Sequence, residues 1–144
     1  MSCTAFKLRF GVIGTNFVSD WLLEGAVEDP RFEVVAIYSR SQDTANAFAE
    51  KHNIPHTFIS LEKMASSPLI DAVYIASPTA LHSEQAILFM EHGKHVLCEK
   101  PSASNVRELS RMIETAKKYD VVFMEAMKST LMPDLKPFCS ICPK

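Results

Sequence analysis

Cysteine is scarce in this chain and is not arranged as a disulfide framework. The four cysteines are Cys3, Cys98, Cys139 and Cys142, and only the last two are close in sequence. Small secreted domains that depend on disulfides carry denser and more regular cysteines, so that class of protein is excluded. We expect free thiols in a reducing compartment.

Long apolar runs and a strong charge of one sign are also lacking. No stretch reaches the ~18 apolar residues of a membrane-spanning helix, and no apolar run follows a basic N-terminus as in a secretory leader. The 15 basic and 17 acidic side chains nearly balance, and apolar residues make up 47% of the chain. A disordered chain and a general polyanion binder are therefore excluded. We expect a soluble cytoplasmic protein with no nucleic-acid or membrane partner.

The sequence does have a regular alternation of two apolar patterns, and its 144 residues suit a single core. Short runs rich in β-branched residues predict strands at 8–13, 32–38, 56–59, 72–76, 95–98 and 121–124. Apolar residues three and four positions apart predict helices at 17–28, 42–52, 61–66, 81–92 and 105–119.

This alternation predicts a doubly wound α/β domain with a parallel sheet over residues 1–127. Strands that are apolar along their whole length are buried on both faces, and strand-helix alternation favours right-handed crossovers. Residues 128–144 contain three prolines and no regular period, so we expect an irregular tail there.

The turn after the first predicted strand is a candidate phosphate site, because ligands of open α/β sheets bind at the carboxyl ends of strands. The dinucleotide fingerprint G-x-G-x-x-G is degraded here to Gly14, Asn16 and Ser19. Asn tolerates a left-handed backbone and Ser is small, so both replacements are compatible with the turn. Gly14, Thr15, Asn16 and Phe17 are candidate cofactor-binding residues. The alternative is an ordinary tight turn.

The second predicted strand ends without the acidic residue that normally binds the ribose 2′-hydroxyl of NAD. Ser39 and Arg40 stand there instead. A guanidinium and a hydroxyl can bind a 2′-phosphate through charge-assisted hydrogen bonds, whereas a carboxylate would repel it. We therefore predict NADP as the cofactor, with NAD as second choice. The alternative is that Arg40 is only a solvated side chain at a strand end.

Short motifs stand at the ends of the predicted strands in a defined order. They are Gly14-Thr15, Ser39-Arg40, Ser77-Pro78-Thr79 with His82, Glu99-Lys100-Pro101 and Glu125-Ala126-Met127. In this order they resemble the N-terminal Rossmann domain of the Gfo/Idh/MocA family. This family comprises NAD(P)-dependent oxidoreductases that act mostly on sugars, cyclitols and related diols. The resemblance covers residues 7–133, and Glu-Lys-Pro is its most specific element.

The resemblance implies that Glu99, Lys100 and Pro101 lie beside the nicotinamide ribose and that Lys100 is the catalytic residue. Hydride transfer at a carbinol carbon needs proton movement at its oxygen, and a lysine can orient that oxygen or supply positive charge. The alternative for a lone lysine is a solvated charge.

The resemblance also implies that Ser77, Pro78 and Thr79 pass under the cofactor. His82 would begin the following helix, and we group it with these cofactor contacts as a packing or orienting residue rather than a catalytic one. The remaining histidines have no metal-ligand spacing, so no metal site is predicted.

In the family, a second domain with the substrate site follows the Rossmann domain. Residues 128–144 are predicted to be a remnant of the crossover to it, and the sequence departs from the family after Pro133. We expect the second substrate domain to be missing, through truncation, alternative splicing or a frame change. A sugar or polyol substrate would then require a full-length form, and exposed inter-domain surface would favour self-association.

Two other functions remain open. The first is a non-catalytic dinucleotide-sensing or interaction module. The presence of Lys100 argues against it, because a sensor needs cofactor contacts but no residue that contacts a substrate oxygen. The second is a thiol-redox protein using Cys139 and Cys142. Because a redox pair normally opens a helix after a strand and zinc needs about four ligands, we interpret these two cysteines as incidental.

Overall fold

The computed structural model describes residues 7–26 and 28–127. Its strands are β1 (Leu8–Ile13), β2 (Phe32–Tyr38), β3 (His56–Phe58), β4 (Ala72–Ile75), β5 (His95–Cys98) and β6 (Phe123–Glu125). Its helices are α1 (Phe17–Ala26), α2 (Gln42–His52), α3 (Leu61–Ala65), α4 (Thr79–Glu91) and α5 (Val106–Lys118). None of these helices combines the length and the apolar character needed to cross a bilayer.

The strands form one parallel sheet in the order β3-β2-β1-β4-β5-β6. This is the strand order of a dinucleotide-binding Rossmann fold, with the topological switch point between β1 and β4. The predicted doubly wound sheet is therefore confirmed. The carboxyl ends of β1 and β4 diverge into helices on opposite faces, which opens a crevice between them.

Apolar side chains cover both faces of the sheet, as its long apolar strands require. On one face, Leu23 of α1 and Phe48 of α2 pack against Val12 and Ile37. On the other face, α3, α4 and α5 pack against the sheet through Met64, Phe89, Met90, Met112 and Ala116. All four residues of β4 are buried, because this strand lies near the middle of the sheet.

Several helix ends differ from the sequence prediction because flanking residues act as caps. Helix α5 begins at Val106, since Asn105 stays extended and its side chain accepts a hydrogen bond from the Glu108 N–H. Helix α4 begins at Thr79, two residues earlier than expected, directly after Pro78. Strand β6 is shifted toward Glu125.

An ion pair links the first strand to the segment that enters β4. The Arg9 Nη2 and Nε atoms donate to the two carboxylate oxygens of Asp71 at 2.6 and 2.9 Å. The Arg9 backbone N–H donates to the same carboxylate at 3.0 Å. These residues are 62 positions apart in sequence, so the pair stabilises the folded chain rather than a local turn.

Replacement of this carboxylate, Asp71→Asn, should lower the free energy of unfolding at pH 7 by about 1–2 kcal/mol. Hydrogen bonding from Arg9 lowers the pKa of Asp71 below its ordinary value. The stabilisation is thus present above the unfolded pKa of about 4 and is lost as the pH falls through the folded pKa. Urea unfolding at several pH values should show the difference between the two proteins shrinking below about pH 4.

The control is Asp29→Asn, which removes the exposed pair between Asp29 and Arg31. These two residues are only two positions apart, so the pair can also form in the unfolded chain and should matter much less. Equal losses from both substitutions would contradict the role of Arg9 and Asp71.

Candidate functional site

The turn between β1 and α1 is held tightly against the end of β4. Gly14 has a φ of 107°, and a Cβ at this position would lie 2.8 Å from the carbonyl oxygen of Ala76. Only glycine combines this backbone conformation with such a close approach. The Ser19 hydroxyl donates to the Gly14 carbonyl at 2.8 Å, and Ser19 is fully buried. A small residue is therefore required at position 19, as the sequence suggested.

Asn16 acts in this turn through its side chain. Its Nδ2 donates to the Ala76 carbonyl at 2.7 Å, and its Oδ1 accepts from the N–H groups of Val18 and Ser19. Asn16 is not among the described residues with a positive φ. The explanation that Asn is present because it tolerates a left-handed backbone is therefore wrong for this position. Asn16 instead caps α1 and ties it to β4.

The end of β2 opens into the same crevice as the first turn. Ser39 and Arg40 line a cavity of about 980 Å³ together with Gly14, Thr15 and Asn16. The Ser39 N–H donates to the Phe58 carbonyl at 3.1 Å, which fixes the strand end, while Arg40 is exposed. A cavity of this volume lies at the upper end of the range of small-molecule sites.

Ser77 and Pro78, which follow β4, form another wall of this cavity. The Ser77 hydroxyl donates to Oε1 of Gln85 at 2.5 Å, and Gln85 also lines the cavity. Thr79 is the first residue of α4 and is partly buried.

His82 lies behind this wall and is 1% exposed. Its Nε2 is 2.7 Å from the Ser77 carbonyl, and its Nδ1 is 3.0 Å from the Pro101 carbonyl. His82 therefore links the segment after β4 to the segment after β5. This geometry supports the orienting interpretation of His82 and places its ring outside the cavity.

The segment after β5 carries Glu99, Lys100 and Pro101, with a cis peptide bond between the last two. The Tyr74 hydroxyl donates to Glu99 Oε1 at 2.6 Å, and the Lys100 N–H donates to Glu99 Oε2 at 3.2 Å. Glu99 lines a second, largely apolar cavity of about 440 Å³ rather than the first one. Lys100 is exposed, and its ammonium makes no hydrogen bond or ion pair within residues 7–26 and 28–127.

Buried groups around this segment have strongly shifted protonation equilibria. Burial, reinforced by the hydrogen bond to Glu99, raises the pKa of Tyr74 far above its ordinary range. Burial also raises the pKa of the Cys98 thiol to about 12, with further contributions from Glu99 and Glu125. Both groups stay neutral near pH 7, so Tyr74 acts as a hydrogen-bond donor and Cys98 is not a nucleophile.

The parallel sheet and the motifs at its strand ends are features of a known oxidoreductase family. Residues 8–127 match the Gfo/Idh/MocA oxidoreductase family, which has an NAD-binding Rossmann fold. The chain belongs to this family. The resemblance inferred from the motifs at the strand ends is confirmed.

Several relatives of this Gfo/Idh/MocA domain are enzymes. The chain is 57% identical over 129 residues to scyllo-inositol 2-dehydrogenase (NADP(+)) IolU of Bacillus subtilis, covering 90% of this chain and 39% of that protein. It is 39% identical to trans-1,2-dihydrobenzene-1,2-diol dehydrogenase of Xenopus tropicalis, covering 85% of this chain and 36% of that protein. The chain thus spans well under half the length of these relatives.

Among solved structures, the chain is similar to KijD10, a 3-ketoreductase from Actinomadura kijaniata. The Y186F mutant of that enzyme, in complex with TDP-benzene and NADP, has a TM-score of 0.85 and 28% sequence identity. The similarity covers 94% of this chain and 42% of that one.

The residues predicted for the site thus fall into separate groups in this Gfo/Idh/MocA domain. The first cavity is lined by Gly14, Thr15, Asn16, Ser39, Arg40, Ser77 and Pro78. Glu99, Lys100 and Pro101 form the neighbouring loop, with His82 behind it. Phe17 and Thr79 are the first residues of α1 and α4.

Sequence reasoning assigned no role to Tyr74, Gln85 or Glu125, all of which hold these groups by hydrogen bonds. Two signals were available, namely the phenol of Tyr74 inside an otherwise apolar strand and the place of Glu125 in the motif Glu125-Ala126-Met127. In the described part of the chain, no group of three or more His, Cys, Asp and Glu side chains could hold a metal ion. Cys3, Cys139 and Cys142 lie outside the described residues, as does the predicted crossover remnant at 128–144.

Removal of the Asn16 side chain, Asn16→Ala, should cost about 2 kcal/mol of unfolding free energy, because both a helix cap and the link to β4 are lost. The matched control is Asn105→Ala, which removes only the cap of α5 and should cost about 1 kcal/mol. Urea denaturation measures both values. An Asn16→Ala loss no larger than that of Asn105→Ala would contradict the double role of Asn16.

Proposed function

We propose that this chain binds NADP(H) in the cavity between β1, β2 and β4. We further propose that it belongs to an oxidoreductase acting on the CH–OH group of a sugar, cyclitol or diol. The carrying observation is that the first turn and Arg40 line one cavity at the topological switch point. Relatives named as inositol and dihydrodiol dehydrogenases, one of them NADP(+)-dependent, support the substrate class and the cofactor. Residues 1–127 would form the dinucleotide-binding domain.

The first turn suits a pyrophosphate. The backbone N–H groups of Thr15, Asn16 and Phe17 have no hydrogen-bond acceptor within the described residues. They precede or begin α1, whose N-terminus carries the positive end of the helix dipole. Thr15 and Asn16 line the cavity, so a diphosphate there would receive several donors without a lysine or arginine.

The end of β2 suits a phosphorylated ribose. Ser39, Arg40, Ser41 and Thr44 line the same cavity and offer one guanidinium and three hydroxyls. A 2′-phosphate would accept hydrogen bonds from all of these groups, whereas a 2′-hydroxyl would find no carboxylate at the strand end. Ser77, Pro78 and Thr79 would then pass beneath the middle of the cofactor, and Phe17 would lie at its edge.

Lys100 is the proposed catalytic residue. NADP(H), when bound, would supply hydride chemistry at the carbinol carbon of an alcohol substrate or at the carbonyl carbon of its oxidised form. The Lys100 ammonium is exposed beside the carboxyl end of β5, where it can donate a hydrogen bond to the substrate oxygen. In the direction of carbonyl reduction it would supply the proton to that oxygen, and in the reverse direction it would receive it. Glu99 and Pro101 would hold this lysine beside the nicotinamide ribose.

Cofactor selectivity should depend on Arg40. NADP(H) should bind roughly ten- to a hundredfold more tightly than NAD(H), since charge-assisted hydrogen bonds contribute about 1.5–3 kcal/mol. Arg40→Ala should remove most of this preference and leave NAD(H) affinity nearly unchanged, as measured by isothermal titration calorimetry. Arg107→Ala on the exposed surface of α5 is the matched control. Equal affinity of the unmodified chain for both cofactors would refute the assignment.

A polypeptide of residues 1–144 should bind NADPH without turning over aldoses, inositols or dihydrodiols. Correct placement of the reacting carbon beside the nicotinamide lowers the activation barrier by about 7–11 kcal/mol. Lys100 is exposed, and a single lysine cannot place the substrate in this way. The measurement follows absorbance of reduced nicotinamide over a substrate panel. Turnover that disappears in Lys100→Ala would overturn this expectation.

The predicted self-association also remains a proposal. Trp21, Val122 and Met124 are more than half exposed, and Trp21 and Met124 line the second cavity. Val122 and Met124, next to and within β6, and Trp21 on α1 form an exposed apolar surface that would favour self-association. The predicted crossover remnant, residues 128–144, lies outside the described residues.

A further inference from the structure

We propose that Glu125 and Tyr74 are positioning residues that hold the Lys100 loop, residues 99–102, from opposite faces of the sheet. This inference rests on the proposed function, because it assigns the loop to the nicotinamide half of the cofactor. Neither residue touches the Lys100 side chain. Each acts through hydrogen bonds that fix the backbone carrying it.

On the face covered by α1, Tyr74 anchors the loop through Glu99. Tyr74 is opposite Leu97 in the β4–β5 register and is 2% exposed. A buried hydroxyl needs a partner, and here it donates to Glu99 Oε1 at 2.6 Å. The other carboxylate oxygen of Glu99 accepts the Lys100 N–H at 3.2 Å. The phenol therefore sets the position of the carboxylate that receives the amide of the catalytic lysine.

On the opposite face, Glu125 holds the far end of the loop. It is the last residue of β6 and lies opposite Cys98, the last residue of β5. Its Oε1 accepts the Ser102 N–H at 2.8 Å, and Ser102 is only 5% exposed. A backbone amide bound to a carboxylate makes a charge-assisted hydrogen bond, which is stronger than a neutral one.

Together these contacts bind successive backbone groups of the loop. The Lys100 N–H is bound by Glu99, the Pro101 carbonyl faces His82, and the Ser102 N–H is bound by Glu125. A backbone hydrogen bond from the Glu99 N–H to the Ile75 carbonyl, at 2.9 Å, continues the β4–β5 pairing to the first residue of the loop. Residues 100–102 follow the last paired residue of β5, and side chains bind their backbone groups. Loss of one of these hydrogen bonds should shift Lys100 relative to the first cavity while leaving the sheet intact.

The binding affinities of two ligands distinguish a positioning role of Glu125 and Tyr74 from a general structural role. NADPH reaches the loop with its nicotinamide half, whereas 2′-phospho-ADP-ribose lacks the nicotinamide and tests only the first cavity. Glu125→Ala should weaken NADPH binding roughly three- to tenfold and change binding of 2′-phospho-ADP-ribose less than about twofold. Glu125→Gln should restore NADPH affinity, because its amide oxygen still accepts from Ser102. Tyr74→Phe should resemble Glu125→Ala, with Glu50→Ala on exposed α2 as the control.

Amide exchange in the cofactor-free chain tests the same ties independently of the proposed function. Exchange at Ser102 should accelerate about tenfold in Glu125→Ala and by a smaller factor in Glu125→Gln, whose neutral amide oxygen still accepts but makes a weaker hydrogen bond. Exchange at Lys100 should accelerate in Tyr74→Phe. If the parent chain binds neither ligand, the proposed function is wrong. The amide exchange rates at Lys100 and Ser102 still show whether the hydrogen bonds hold the loop. Unchanged exchange rates, or equal weakening of both ligands, would overturn the positioning role.

Discussion

The structure depends on the contact between the first turn and Ala76 at the end of β4. The Ala76 N–H donates to the Ile13 carbonyl at 2.9 Å, and its carbonyl accepts from Asn16 at 2.7 Å. Both polar groups of this one residue are therefore satisfied by β1 and the turn that follows it. Because Gly14 has no Cβ, the turn can lie this close to Ala76. If the turn moved away from β4, these hydrogen bonds would be lost. The crevice between the two strands takes its shape from this junction.

A second set of contacts, made by side chains in addition to strand pairing, fixes the segments that follow β4 and β5. His82 bridges carbonyls of Ser77 and Pro101, and the carboxylates of Glu99 and Glu125 each accept a backbone N–H. Carboxylates serve well here because a charged acceptor gives a stronger hydrogen bond to an amide. Their negative charge also suits a loop whose exposed side chain, Lys100, is cationic. The loop backbone is thus held by several hydrogen bonds, whereas the Lys100 ammonium makes none within the described residues.

The sequence was sufficient to predict a doubly wound parallel sheet, but not the strand order or these contacts. Buried strands such as β4 read as continuous apolar runs, and right-handed crossovers then leave few possible topologies. The role of Asn16 depends on Ala76, 60 positions away, and that of Tyr74 on Glu99, 25 positions away. Local patterns carry no information about such pairs. For this reason the Asn in the fingerprint was interpreted through backbone conformation, whereas its side chain is what the fold uses.

The charges that line the first cavity explain why the proposed cofactor selectivity depends on a single arginine, Arg40. Among the described residues that line it, Arg40 is basic, whereas Glu62 and Glu84 are acidic. An anionic dinucleotide therefore gains no net attraction from the charged side chains of its own cavity. A diphosphate bound as proposed would depend on backbone N–H groups and on the dipole of α1, which any dinucleotide would use equally. In the proposed function, discrimination between a 2′-phosphate and a 2′-hydroxyl would depend on Arg40 and the hydroxyls beside it. Because Arg40 is exposed, salt should screen this discrimination more strongly than it screens the contacts made by the turn at Gly14.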